Sequence, residues 1–112
     1  MAVKVISRAS EIQWLKRAEG LSQVILLTKR LKYQGVLHYA LKYALWALPD
    51  GGIIEIKDSG PLSADSRPYT INFNQVCQVV WTFLKDEITL ISIDRDIGNL
   101  RVRVKKPKSA SG

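Results

Sequence analysis

Few residues in this 112-residue chain have the type and spacing for covalent or acid–base chemistry. His38 is the single histidine and Cys77 the single cysteine. Ser59 and Ser63 follow the acidic Asp58, and Asp94 and Asp96 are separated by one residue. A general-base histidine needs a group that fixes its tautomer and orientation. On a helix such a group sits four residues away, where this sequence has Gln34 and Lys42 rather than a carboxylate. His38 therefore reads as a structural histidine, solvated or hydrogen-bonded. Neither serine lies in a G-x-S-x-G elbow, and Asp94 and Asp96 flank a turn, where short carboxylates bond their own backbone. Cys77 falls in an apolar helical stripe and reads as a small core residue. No catalytic residue is assigned. A lone cysteine forms neither an internal disulfide nor a cysteine-based metal site, and no metal is expected.

The glycine pair in "ALWALPDGGIIEIKDSG" (44–60) poses the remaining chemical question. A phosphate-cradling loop places its glycines after a strand and before a helix, so that backbone N–H groups point at the anion. Here the helix comes first and the strand second. Pro49 stops the helix, and Gly51 with Gly52 permits the positive φ of a tight return. The pair reads as a turn.

The elements around these residues are legible from periodicity. "AVKVIS" (2–7) reads as a strand and "SEIQWLKRAEG" (10–20) as a short helix capped by Ser10 with Gln13, closing at Gly20. "SQVILLT" (22–28) has no polar alternation, as in a strand covered on both faces. Tyr33 to Leu48 is the longest helix, with one narrow polar stripe of Gln34, His38 and Lys42. Its excess apolar surface predicts contact with another helix or a second subunit, with Tyr39, Tyr43 and Trp46 as interface anchors. "IIEIKD" (53–58) is a strand, 59–70 a long loop, and 72–86 a helix. Phe73, Val76, Cys77, Val80 and Leu84 form that helix's inner stripe. Strands at 87–96 and 100–106 close the chain as a hairpin, with Leu100, Val102 and Val104 inward and Arg101, Arg103 and Lys105 outward. The order β-α-β-α-β-α-β-β predicts a single small three-layer α/β domain over 1–106. Its sheet is mostly parallel and twisted, with helices on both faces and a C-terminal antiparallel hairpin. Residues 107–112 read as a disordered basic tail.

Charge is unevenly placed. Residues 1–48 hold eight Lys or Arg against two Glu, whereas 49–100 hold four basic against eight acidic residues. The last twelve are basic only, and the whole chain carries +7. This is either a solvated basic surface or a contact with an anionic partner. The basic residues do not cluster with aromatic groups in a nucleic-acid motif along the sequence. No apolar run reaches the roughly 20 residues of a membrane span, and the start lacks the apolar core of a signal peptide. With one cysteine, the expectation is a cytoplasmic protein.

From Val24 onward, "VILLTKRLKYQGVLHYALKYALWALPDGGIIEIKD" resembles the C-terminal half of class I S-adenosylmethionine-dependent methyltransferases. The match is a strand, a loop, a helix ending in a leucine-rich turn with Pro and Gly-Gly, and a strand ending in an acid. The long loop, next helix and hairpin follow in that family's order, about 80 residues in all. That family holds its cofactor by a glycine-rich loop after the first strand and an acidic residue about 20 residues on. Before Val24 this chain has one glycine, Gly20, so neither element is found. By position, the resemblance implies cofactor contacts from Thr28, Lys29, Asp58 and Ser59, at the carboxyl ends of strands.

The leading expectation is a truncated methyltransferase-like domain, non-catalytic by itself, serving as an assembly or regulatory module. It would be a homo-oligomer or bind a protein partner, with no cofactor on the isolated chain. The alternatives are half of a composite methyltransferase, binding S-adenosylmethionine once a partner completes the site, and a basic domain with weak, sequence-independent affinity for nucleic acid. Lys29, Arg30, Lys32, Arg101, Arg103 and Lys105 would make the anion contacts in the last case.

Overall fold

A computed structural model describes residues 2–28, 34–58 and 73–106. Strand β1 (Ala2–Ile6) leads through a 3-10 turn (Ala9–Glu11) into helix α1 (Ile12–Leu15) and strand β2 (Leu21–Leu27). Helix α2 (Gln34–Ala47), strand β3 (Ile53–Lys57) and helix α3 (Phe73–Leu84) follow, then strands β4 (Ile88–Asp94) and β5 (Asn99–Val104). The sheet order is β1-β2-β3-β5-β4. The first three strands pair parallel, and the β4–β5 hairpin joins them antiparallel through β5. The α/β class, the mixed sheet and the closing hairpin are as the sequence predicts.

The helices are distributed more narrowly than expected. From β1 to β2 to β3 the chain steps in one direction across the sheet. A right-handed crossover repeated in one direction returns each helix to the same side. All three helices accordingly contribute to one core cluster. Ile6, Val24, Leu26, Ile54, Ile56, Leu100 and Val102 meet Leu15 of α1, Leu37, Leu41 and Ala44 of α2, and Val76, Val80 and Leu84 of α3. Each fully buried Leu or Ile there contributes about 1.5–3 kcal/mol. The far face of the sheet carries Val3, Val5, Gln23, Ile25, Ile53, Glu55, Arg101 and Arg103, and none of the described helices covers it.

Helix α1 is one turn rather than the expected 10–20. Ser10 does not cap it and Gly20 does not close it. Glu11 sits at the N-cap without a side-chain bond to the helix. Its carboxylate instead reaches back to accept from the Ser7 amide at 3.1 Å and the Ser7 hydroxyl at 2.7 Å. That serine hydroxyl, with the amide, holds the Glu11 carboxyl below the usual range. Gly20, at φ +70°, turns the chain into β2. In α3 the buried side is Val76, Val79, Val80 and Leu84, with Phe73 and Cys77 half-buried. The register of β4 shifts between Leu90 and Ser92, leaving Leu90 and Ile91 exposed at the edge.

The two glycines of the α2–β3 return do different things. Gly51 adopts φ +85° and donates its N–H to the Val104 carbonyl at 2.8 Å, with open space where a Cβ would stand. Gly52 leaves no such space: a Cβ would lie 2.9 Å from Leu48 Cβ and 3.1 Å from the Pro49 oxygen. Gly51→Ala is therefore expected to cost about 1–2 kcal/mol of backbone strain, which Gly51→Asn largely recovers because Asn tolerates the left-handed region. Gly52→Ala and Gly52→Asn should both cost about 1–3 kcal/mol through overpacking. Urea denaturation of the four variants checks this; recovery by Asn at Gly52 would overturn the assignment.

Candidate functional site

Thr28 and Asp58 stand where open α/β sheets bind ligands, just past the carboxyl ends of adjacent parallel strands β2 and β3. Thr28 is buried. Its amide donates to the Lys57 carbonyl at 3.1 Å and its hydroxyl to the same oxygen at 3.4 Å. The Asp58 amide donates to the Gly98 carbonyl at 2.8 Å. Gly98 has φ +68°, and a Cβ there would lie 2.8 Å from Asp58 Cβ. The β4–β5 turn thus clamps the end of β3. Lys29, Arg30, Lys32, Ser59 and Ser63 lie outside the described residues, as do the 59–70 loop and the 107–112 tail.

A polar cluster that the sequence reading missed sits on the far face of the sheet, on β3. Glu55 is only 9% exposed, between Ile54 and Ile56. Its Oε1 accepts from Gln23 Nε2 at 2.9 Å and its Oε2 from Asn99 Nδ2 at 3.1 Å. Lys57 Nζ stands 3.3 Å from Oε2 and Arg101 Nε 3.4 Å from Oε1. The register explains the assembly, because Glu55 pairs across to Arg101 on β5 and lies beside Gln23 and Ile25 of β2. One signal was available in the sequence: Glu55 is the single acid inside an apolar strand. A buried carboxylate needs partners, and the alternating arginines of the last strand are one supply.

This corrects the reading of Arg101 as a free outward cation. Its Nε is buried 3.4 Å from Glu55 Oε1, while 40% of the arginine side chain stays exposed. Arg103 is exposed on the same face, and Lys105 lies beyond β5, its amide bonded to the Glu87 carbonyl at 2.7 Å. The three do not form one outward row.

The expected interface anchors lie on α2. Tyr39 and Tyr43 stack with centroids 6.0 Å apart, and Trp46 is 63% exposed. Tyr43 and Trp46 line a groove of about 750 Å³ near the C-terminus of α2, at the opposite end of β3 from Asp58. His38, expected to be solvated or hydrogen-bonded, stacks on Phe83 with centroids 5.0 Å apart. Cys77 is half-buried, and desolvation pushes its thiol up, against a smaller pull from Arg95. Among the described residues no group of His, Cys, Asp or Glu could hold a metal ion, and no helix is long and apolar enough to cross a membrane.

No protein-family model matches this chain, and no curated protein matches it. A solved structure does resemble it: the N-methyltransferase NodS from Bradyrhizobium japonicum WM9, in complex with S-adenosyl-L-homocysteine. The TM-score is 0.50 at 14% identity, over 84% of this chain and 51% of that one. The chain thus spans about half the length of NodS. The likeness supports a methyltransferase-like α/β fold, coarsely.

Arg101→Ser should destabilise the domain by about 1–3 kcal/mol, because it leaves Glu55 under-paired. Arg103→Ser, on the same strand and face but exposed, should stay within about 0.5 kcal/mol. Urea midpoints for the two compare them directly, and equal losses would refute the Glu55 network as a stabilising element. Cys77 gives a pH test. Its folded thiol ionises above the usual range, so the associated stability is present below the unfolded thiol's pKa. It is lost as pH rises through the folded value. Stability should fall on the alkaline side in the native chain and fall less in Cys77→Ala. Native Cys77 should also react more slowly with a disulfide reagent at pH 8 than the urea-unfolded chain.

Proposed function

We propose that this chain is a methyltransferase-like half-domain without catalysis of its own, acting as an assembly or regulatory module. The observation that carries the reading is the strand order. Doubly wound sheets bind ligand in the crevice that opens where the strand order reverses and helices leave on opposite faces. The parallel strands β1, β2 and β3 follow one another without reversal. Their described helices share one face, so no such crevice opens among the described residues. Thr28, at the carboxyl end, has its hydroxyl committed to the main chain.

The face that this order leaves open among the described residues is the one we propose for a partner. Val3 and Val5 are 51% and 44% exposed on β1, beside half-buried Ile25, and β1 is a sheet edge. A protein partner or a second copy covers this side, rather than the Tyr39, Tyr43 and Trp46 side of α2. Exposed apolar surface and an unpaired strand edge both favour association. Its single thiol suits a reducing, cytoplasmic setting.

A second reading is half of a composite methyltransferase. It is favoured by the S-adenosyl-L-homocysteine named with the structurally similar NodS, and by Asp58 at the carboxyl end of β3, half-buried. Calorimetry separates the two. The purified chain should show no saturable heat with S-adenosylmethionine or S-adenosylhomocysteine. A micromolar dissociation constant, about −8 kcal/mol, would overturn the non-catalytic reading; binding that appears only with a partner chain would establish the composite one. Sedimentation equilibrium should show self-association or a hetero-complex, weakened by Val5→Lys. A strict monomer that recruits no partner would reject the assembly role.

A further inference from the structure

Basic and aromatic residues that lie apart in the sequence meet on one side of the molecule. Lys4 Nζ of β1 sits 4.8 Å from the centre of the Trp14 ring of α1. Lys16 Nζ, at the end of α1, sits 4.8 Å from the centre of the Tyr43 ring of α2. Such cation–π pairs hold a ring and a charge in fixed relation. Two cavities open here. One, of about 630 Å³, is lined by Lys4, Trp14, Lys16 and Arg17 among others. The second is the groove of about 750 Å³, where Lys16, Lys42, Trp46 and Lys105 meet. Lys16 borders both, so the two cavities lie side by side along one track.

Among the described residues, charge along the track is not matched internally. Glu87 is the one acidic residue in the described lining of the two cavities. Lys106 is already used: its ammonium donates to the Trp46 carbonyl at 3.3 Å and to the Leu48 carbonyl, satisfying the end of α2. Lys16, Arg17, Lys42 and Lys105 are exposed and make no ion pair among the described residues. Between these cations stand Trp14 and Trp46, 64% and 63% exposed. Cations alone would suit any polyanion. Exposed indoles between them select one whose units carry flat rings, because base–aromatic stacking adds to phosphate neutralisation. An acidic peptide offers the charges without the rings, and a duplex hides its rings in its own stack.

We propose that this track binds single-stranded nucleic acid, with bases stacked on Trp14 and Trp46 and phosphates against Lys16, Arg17, Lys42 and Lys105. Ring faces and point charges read no particular base, so binding is sequence-tolerant. Of the cations expected from sequence to contact anions, Arg101, Arg103 and Lys105 are among the described residues, and of these Lys105 lies on the track. The inference does not depend on the assembly reading or on the sheet face assigned to a partner.

The test is fluorescence anisotropy of a labelled twelve-nucleotide oligo-dT with the full chain. The expected dissociation constant is of order 10⁻⁴–10⁻⁶ M at physiological salt. Four cations on single strands predict a slope of log K against log salt of about −3, or roughly 50-fold weaker binding on going from about 50 to 200 mM. Trp14→Ala and Trp46→Ala should each weaken binding by about 5-fold or more, while Phe at either position retains most of it. Trp81→Ala, an exposed tryptophan on α3 away from the track, should change nothing. A duplex of equal length and polyglutamate of equal charge should bind more weakly. No binding at 50 mM salt, indifference to both track substitutions, or an equal loss in Trp81→Ala would overturn the proposal. Equal binding of polyglutamate would do the same and mark an acidic-peptide surface instead.

Discussion

The handedness of the β-α-β crossover governs this molecule more than any single contact. A right-twisted strand feeding a right-handed helix packs back on the sheet in one sense only. When successive strands are added on the same side, as β1, β2 and β3 are, every crossover helix is sent to the same face. The core then forms as one slab, with α1 and α3 flanking α2 and the apolar positions of all five strands beneath them. A sheet wound in both directions from its centre would have split the same helices between two faces and opened a crevice between them.

The far face of the sheet follows from that constraint. Side chains alternate across a strand, so the strands that send Ile54, Ile56, Leu100 and Val102 into the slab must send Glu55, Arg101 and Arg103 the other way. Without a described helix over them, these positions can carry charge, and Glu55 is nonetheless nearly buried. Its neighbours settle the balance. Desolvating a lone carboxylate costs several kcal/mol, and here two amide donors and two cations surround it at 2.9–3.4 Å. Because Lys57 and Arg101 keep 45% and 40% of their side chains exposed, the ion pairs contribute less than the amide hydrogen bonds. The cluster ties β2, β3 and β5 together at the centre of the sheet, where the described helices pack from one side only.

Local pattern made much of this legible. The apolar circumference of α2, the alternation of Leu100, Val102 and Val104, and the helix-then-strand order around Gly51 and Gly52 each encode a near-neighbour preference. The structure keeps all three. Helix α1 failed because Glu11 found a closer partner in Ser7 than the helix offered it, and a four-residue helix has little propensity to resist with. The distribution of helices between faces was not legible, since it depends on strand order, which periodicity does not report. Nor was the Glu55 cluster, whose partners Gln23 and Asn99 lie 32 and 44 residues away. Along the sequence the basic and aromatic residues show no common motif. Only β1 lying beside β2 and α1 packing on α2 bring Lys4 to Trp14 and Lys16 to Tyr43.

The two ends of the sheet divide the chemistry between them. At the carboxyl ends of β2 and β3 the Thr28 hydroxyl and the Asp58 amide are bonded to main-chain carbonyls, and Gly98 packs against Asp58 with no room for a side chain. Near the amino end of β3 the helix carbonyls of α2 face outward and draw in Lys106. A helix C-terminus carries a partial negative charge, so lysines are stable guests there before any ligand arrives. One lysine is enough to satisfy those carbonyls. The further cations beside it, Lys42 and Lys105, exceed what the helix end requires, and so does the exposed face of Trp46. Surplus charge and surplus aromatic surface in one place are a cost to an isolated domain, since like charges repel and exposed indole is poorly hydrated. Both become favourable when an anionic ring-bearing chain lies across them. The track proposed for nucleic acid thus includes the amino end of β3, opposite to the end that open α/β sheets ordinarily use.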